Sequence, residues 1–253
     1  MNDPTHRFRP QRQPAFNLPA VIVILVLVLV GIQFIREYIL DDSGDANLIF
    51  TFAFIPARVT EPVIVGGVLP GGAAATLWSF LTYAFLHADW SHVGFNCLWL
   101  AAFGSPLAWR FGPTRFLLYS ALGAIAGAAT HLAVHPSDMT PLVGASAAIS
   151  AHMAGACRFI FAAGGPLGVM QSGGDLAAYR RPAAPLAEIV RDGRVLMFLA
   201  VWFGLNLLFG LLGPDTGLAS GAIAWEAHIG GFVVGLIAFP FFDPVAPTHS
   251  RFF

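Results

Sequence analysis

Three short strings in this chain combine residue types that can do chemistry: His92-x-x-x-Asn96, Gly144-Ala145-Ser146-Ala147 and Ala227-His228-Ile229-Gly230-Gly231. A serine hydroxyl is a poor nucleophile until a base takes its proton, and imidazole, which titrates near neutral pH, is the natural base. Ser146 and His228 are therefore the candidates for acyl transfer. Ser146 follows a Gly-Ala pair at an expected helix start, where free backbone N–H groups and the helix dipole favour a developing negative charge. Residues four apart stack on one helical face, so His92 and Asn96 can offer an imidazole and an amide to one neighbour. Each string also has a plainer use. Ser146 could be a small packing residue, His228 a hydrogen-bonded core histidine, and His92 with Asn96 a polar pair joining two helices. Their conjunction is what favours catalysis.

The elements that must position these residues are apolar. Of 253 residues 57% are hydrophobic and 11% charged, with a mean hydropathy of +0.71, against roughly 25% charged residues in a soluble domain. A bilayer crossing needs about 20 apolar residues. Six runs qualify, near Leu18 to Ile35, His92 to Trp109, Arg115 to Leu132, Ser146 to Phe161, Val195 to Leu212 and Ala224 to Phe241. The first is longer than the apolar stretch of a signal peptide and lacks a small-x-small cleavage site, so it reads as a retained anchor. The expected fold is an all-α polytopic membrane protein, a six-helix bundle (18–242) between a short N-terminal segment (1–17) and a tail (243–253).

Cytoplasmic loops accumulate basic residues, and all 13 basic residues here are arginine. With the N-terminus inside, Arg7, Arg9, Arg12, Arg110, Arg115, Arg158, Arg180, Arg181, Arg191, Arg194 and Arg251 face the cytoplasm, leaving only Arg36 and Arg58 outside. Both termini are then cytoplasmic, and the runs carrying His92, Ser146 and His228 all enter from the outer face, at similar depth. Residues 37 to about 90 form a long outer loop ending in the aromatic stretch Leu77 to Phe85, which suits a helix lying in the interface. A polar loop over about 162–193 is expected in the cytoplasm. Gly123-x-x-x-Gly127, Gly231-x-x-x-Gly235 and Ala151-x-x-x-Gly155 suit close helix approach in lipid.

Other residues read as structural. The net charge of −1 and the absence of a broad basic face argue against nucleic acid as a partner. Cys97 and Cys157 lie in apolar runs, far from a disulfide or CxxC spacing. Glu226, two residues before His228 and so pointing away from it, is expected to be a solvated carboxylate near the outer surface. His131 and His135 lack an accompanying carboxylate or cysteine set, and no HExxH string is present, so no metal site is expected.

The string Phe85-Leu86-His87-Ala88-Asp89-Trp90-Ser91-His92-Val93-Gly94-Phe95-Asn96 resembles the second-helix signature of rhomboid proteases. Gly144-Ala145-Ser146 resembles their GxS motif, and Ala227-His228-Ile229-Gly230-Gly231-Phe232 their sixth-helix AHxGG motif. The resemblance extends from about Trp78 to Phe241. It implies a six-helix intramembrane serine endopeptidase of the bacterial type, with Ser146 as nucleophile and His228 as general base. His92, Asn96 and the Ser146 N–H would form the oxyanion hole. It further implies single-pass transmembrane proteins as substrates, a lipid environment, no cofactor, and a bacterial inner membrane as the setting. A non-catalytic relative that escorts transmembrane segments is the alternative. The chain departs from the family pattern at Ala147, where glycine often follows the serine, and at Ser150, where many members have a tyrosine packed on the histidine. Leu107-Ala108-Trp109-Arg110 replaces a common acidic residue at the end of the second helix.

Overall fold

The computed structural model describes residues 18–61, 69–161, 165, 176–216 and 224–245. The expected N-terminal segment 1–17, with Arg7, Arg9 and Arg12, lies outside these residues, as do 162–164 and 166–175 of the loop expected over 162–193 and the end of the tail with Arg251. Among the described residues the chain is all-helical apart from one antiparallel bridge, in which Phe54 and Leu142 exchange backbone hydrogen bonds of 3.1 and 2.8 Å.

The helices are α1 (Ala20–Tyr38), α2 (Asp42–Phe52), α3 (Pro56–Thr60), α4 (Gly72–Thr82), α5 (Trp90–Trp99), α6 (Ser105–Phe111), α7 (Pro113–Val134), α8 (Ser146–Cys157), α9 (Leu186–Ile189), α10 (Gly193–Thr216) and α11 (Trp225–Phe242). Three of them, α1, α7 and α11, are long and apolar enough to cross a membrane. Their outward faces carry large apolar side chains in the open, with Leu27 65%, Leu118 59%, Ile237 63% and Phe241 85% exposed. Lipid accounts for such a surface where water would not. The expected second run is one helical column made of α5, a π-helical turn over Leu100–Gly104, and α6. Pro106 explains the turn, because it lacks an N–H and its ring crowds the carbonyl four residues back, and a widened turn relieves both. The column opens at Asp89, whose carboxylate accepts the His92 N–H at 2.8 Å. The aromatic stretch at the end of the outer segment folds as α4 followed by a single 3₁₀ turn, Tyr83–Phe85.

The core is built around α8, which is buried along nearly its whole length. It is shorter than the run Ser146 to Phe161 because 3₁₀-type bonds, Arg158 N–H to Gly155 and Phe159 N–H to Ala156, turn the chain out of the helix. Glycines let two neighbours close on it. A Cβ at Gly123 or Gly127 of α7 would collide with Ala151 or Ala147, and one at Gly231 or Gly235 of α11 would strike the backbone of the same two residues. The small-residue spacings seen in sequence thus meet on a single ridge of α8. Tyr119 fastens the trio, its hydroxyl lying 2.9 Å from the Ala151 carbonyl and 2.8 Å from that of Gly235.

Polar ties hold the periphery. Arg36, expected in the outer loop, is buried: it pairs with Asp45 at 2.6 Å and donates to Gln33 and to the His87 carbonyl. Arg58, also expected outside, is fully buried and donates to the carbonyls of Phe50 and Pro70. Arg110 meets an acid from elsewhere in the chain: both its Nε and Nη2 lie 2.8 Å from the Asp243 carboxylate, and its Nη1 donates to the carbonyls of Tyr179 and Arg181 at 2.7 Å.

Candidate active site

Helix α8 begins without a capping side chain, so its first N–H groups remain available to an acceptor. Immediately upstream, Gly144 has φ +119°, a conformation open to glycine and strained for other residues. Its N–H donates to the Tyr83 carbonyl at 3.1 Å, while the Tyr83 hydroxyl holds the Ala124 carbonyl at 2.8 Å. The serine turn is thereby pinned to α7.

At the start of α8, Ser146 Oγ lies 2.7 Å from His228 Nε2 in the first turns of α11. Both residues are half-buried, although the body of α8 is closed off. His92 completes the arrangement from a third helix. Its Nδ1 accepts the Ala88 N–H at 3.3 Å, so the neutral ring carries its proton on Nε2. That nitrogen faces Gly144, where a Cβ would stand 2.8 Å from it and 3.6 Å from Ser146 Oγ. Glycine therefore leaves room for a proton-bearing nitrogen beside the serine. Asn96 is buried one turn along, its Nδ2 donating to the His92 carbonyl at 3.0 Å.

Two further residues shape the site. His87 stands edge-on to His92 with ring centroids 4.9 Å apart, and its Nε2 accepts the Ala145 N–H at 3.5 Å. Trp202 of α10 lies 6.2 Å from the His228 ring. Neither stands out in the sequence: His87 appears there only within the string that runs to Asn96, and nothing in the local pattern around Trp202 marks it. Ser150, at the family's tyrosine position, donates back to the Ser146 carbonyl at 2.7 Å.

Two expectations from sequence need correction. Glu226 is not solvated: it is 4% exposed and its Oε1 lies 2.6 Å from His131 Nδ1 and 3.5 Å from His135 Nε2. Helix periodicity turns it away from His228, but α7 packs on the side it turns toward. For the same reason, His131 and His135 do gain a carboxylate, delivered by another helix where no local motif could announce it.

Residues 74–242 match the Rhomboid domain family. The chain belongs to that family, which includes intramembrane serine proteases. Human Rhomboid-related protein 3 is 42% identical over 85 residues, covering 32% of this chain and 20% of that protein. The mouse protein of the same name is 40% identical over 85 residues, with the same coverage of 32% and 20%. The aligned stretch thus spans a fifth of the length of these curated relatives.

Proposed function

We propose that this chain is an intramembrane serine endopeptidase that hydrolyses peptide bonds in or near the transmembrane segments of single-pass proteins. The observation that carries this reading is the 2.7 Å approach of His228 Nε2 to Ser146 Oγ at an uncapped, glycine-lined helix start. Ser146 attacks the substrate carbonyl while His228 takes its proton; His228 returns the proton to the leaving amine, and water, again deprotonated by His228, releases the acyl-enzyme. Negative charge on the carbonyl oxygen is met by the Ser146 N–H, the Nε2–H of His92 and Asn96. No cofactor enters the reaction.

Helix length supports an intramembrane site. The 12 residues of α8 rise about 18 Å against a hydrocarbon core of about 30 Å. A helix reaching one interface at Cys157 therefore leaves Ser146 roughly 10 Å beneath the other. We read α1, the α5–α6 column, α7, α8, α10 and α11 as six spans with both termini cytoplasmic, and the setting as a bacterial inner membrane.

Reconstitution in liposomes with a model single-pass substrate tests the proposal, with the cut mapped by mass spectrometry. Cleavage within the membrane segment is expected for the wild-type chain and should vanish in both Ser146→Ala and His228→Ala, each still folded and inserted. Undiminished cleavage in Ser146→Ala, or no cleavage together with no labelling of Ser146 by a fluorophosphonate, would reject it; the second result would favour an escort role.

A further inference from the structure

The end of α7 and the start of α11 carry a second constellation that proteolysis does not use. His131 in the last turn of α7 and His135 at its C-cap lie four residues apart, with ring centroids separated by 5.2 Å, and Glu226 faces both from α11. His131 Nδ1 is 2.6 Å and His135 Nε2 3.5 Å from the same carboxylate oxygen, and the three ligand atoms lie within 4.8 Å of one another. A four-coordinate zinc ion, with bonds of about 2.0–2.1 Å, holds neighbouring ligand atoms about 3.3 Å apart. Small side-chain adjustments bring these donors to that spacing. We propose that His131, His135 and Glu226 form a binding site for a divalent transition-metal ion of the zinc type, which ties α7 to α11.

The donor set selects the ion. Two imidazoles and one carboxylate suit zinc and its neighbours, whereas calcium and magnesium take oxygen donors. An ion pair with Glu226 would need only one imidazole; here two converge on one oxygen. Access and rigidity are divided between the ligands. His131 and Glu226 are buried, whereas the His135 side chain is 46% exposed, which gives an entry path and leaves the fourth position to water. Asp138 lies just beyond. Burial would raise its pKa, but hydrogen bonds from Thr140 and the neighbouring His131 and His135 outweigh that effect and hold it below the usual carboxylate range. Its charge helps offset the net positive charge that a divalent ion would keep with a single carboxylate ligand.

Metal binding is measured without reference to proteolysis. The full chain in detergent, stripped with a chelator, is titrated with Zn²⁺ by calorimetry and with Co²⁺ by visible absorption. One ion per chain is expected, with the tetrahedral cobalt spectrum and a zinc-dependent rise in unfolding temperature. Affinity should fall at least tenfold in His135→Ala, whose exposed position spares the fold, and in Glu226→Gln. Absence of stoichiometric binding, or unchanged affinity in either variant, would overturn the site.

Discussion

Among the described residues a serine lies within hydrogen-bond reach of a histidine twice, and the proton inventory separates the two pairs. Ser120 Oγ is 2.8 Å from His152 Nε2, but its proton goes to the Phe116 carbonyl at 2.7 Å. His152 must therefore donate, and a ring that donates cannot take the hydroxyl proton. That ring is also stacked on Phe116, 4.7 Å away. Ser146, half-buried at an uncapped helix start, presents its hydroxyl to His228 instead. Ser120→Ala should accordingly leave the cleavage rate within a few-fold of wild type in the liposome assay. Asn96→Ala should lower it by about 10²- to 10³-fold, the usual cost of losing an oxyanion donor, with the unfolding temperature reported alongside; an unchanged rate would remove Asn96 from that role. At this scale much of the candidate site is legible in the sequence. Ser146, His228, His92 and Asn96 announce themselves because polar groups in apolar runs need a reason. Glu226 did not, because its partners come from a helix about 90 residues upstream and no periodicity within one helix can name them.

The helices around α8 set how firmly Ser146 and His228 are held. Gly231 lies three residues after His228, and a Cβ there would drive into the Ala147 backbone, one residue after Ser146. Gly231→Ala should therefore push α11 off α8, destabilise the bundle by about 1–3 kcal/mol, and slow cleavage by more than tenfold through misplacement of His228. Gly94→Ala is the matched control. Its added methyl meets nothing within 4 Å, so a helix interior that gains alanine should be about 0.5–1 kcal/mol more stable, with activity retained. Thermal unfolding in detergent and the liposome rate, measured together, distinguish the two effects. The small-residue spacings were visible in sequence, but their shared target was not, since any glycine-rich membrane helix offers such spacings. Run lengths likewise predicted columns better than boundaries: the π-helical turn and the early exit of α8 depend on Pro106 and on 3₁₀ bonds, neither of which alters hydropathy.

Across the whole molecule, buried ion pairs connect segments far apart in sequence. Arg110 and Asp243 are almost wholly enclosed, at 0% and 8% side-chain exposure, and the Arg110 guanidinium lies 4.6 Å over the Phe159 ring. Arg110→Met should leave Asp243 as an uncompensated buried charge and destabilise the protein by about 3–5 kcal/mol. Arg110→Met combined with Asp243→Asn should recover much of that loss, as read from unfolding in detergent. A double variant no more stable than the single one would show that the pair is not the reason for the loss. The family pattern shows only that a common acidic residue is missing around Arg110; nothing in the sequence names Asp243, at the end of α11, as the partner of Arg110.

Arg36 carries a different consequence. It lies outside the region shared with the family, residues 74–242, yet it grips the His87 carbonyl within that region and is itself anchored by Asp45. Transplanting only the shared region into another member would strand that buried acceptor five residues before His92. The exchangeable module is therefore larger than the recognisable one, and a chimera that respects it must carry α1 and α2 as well.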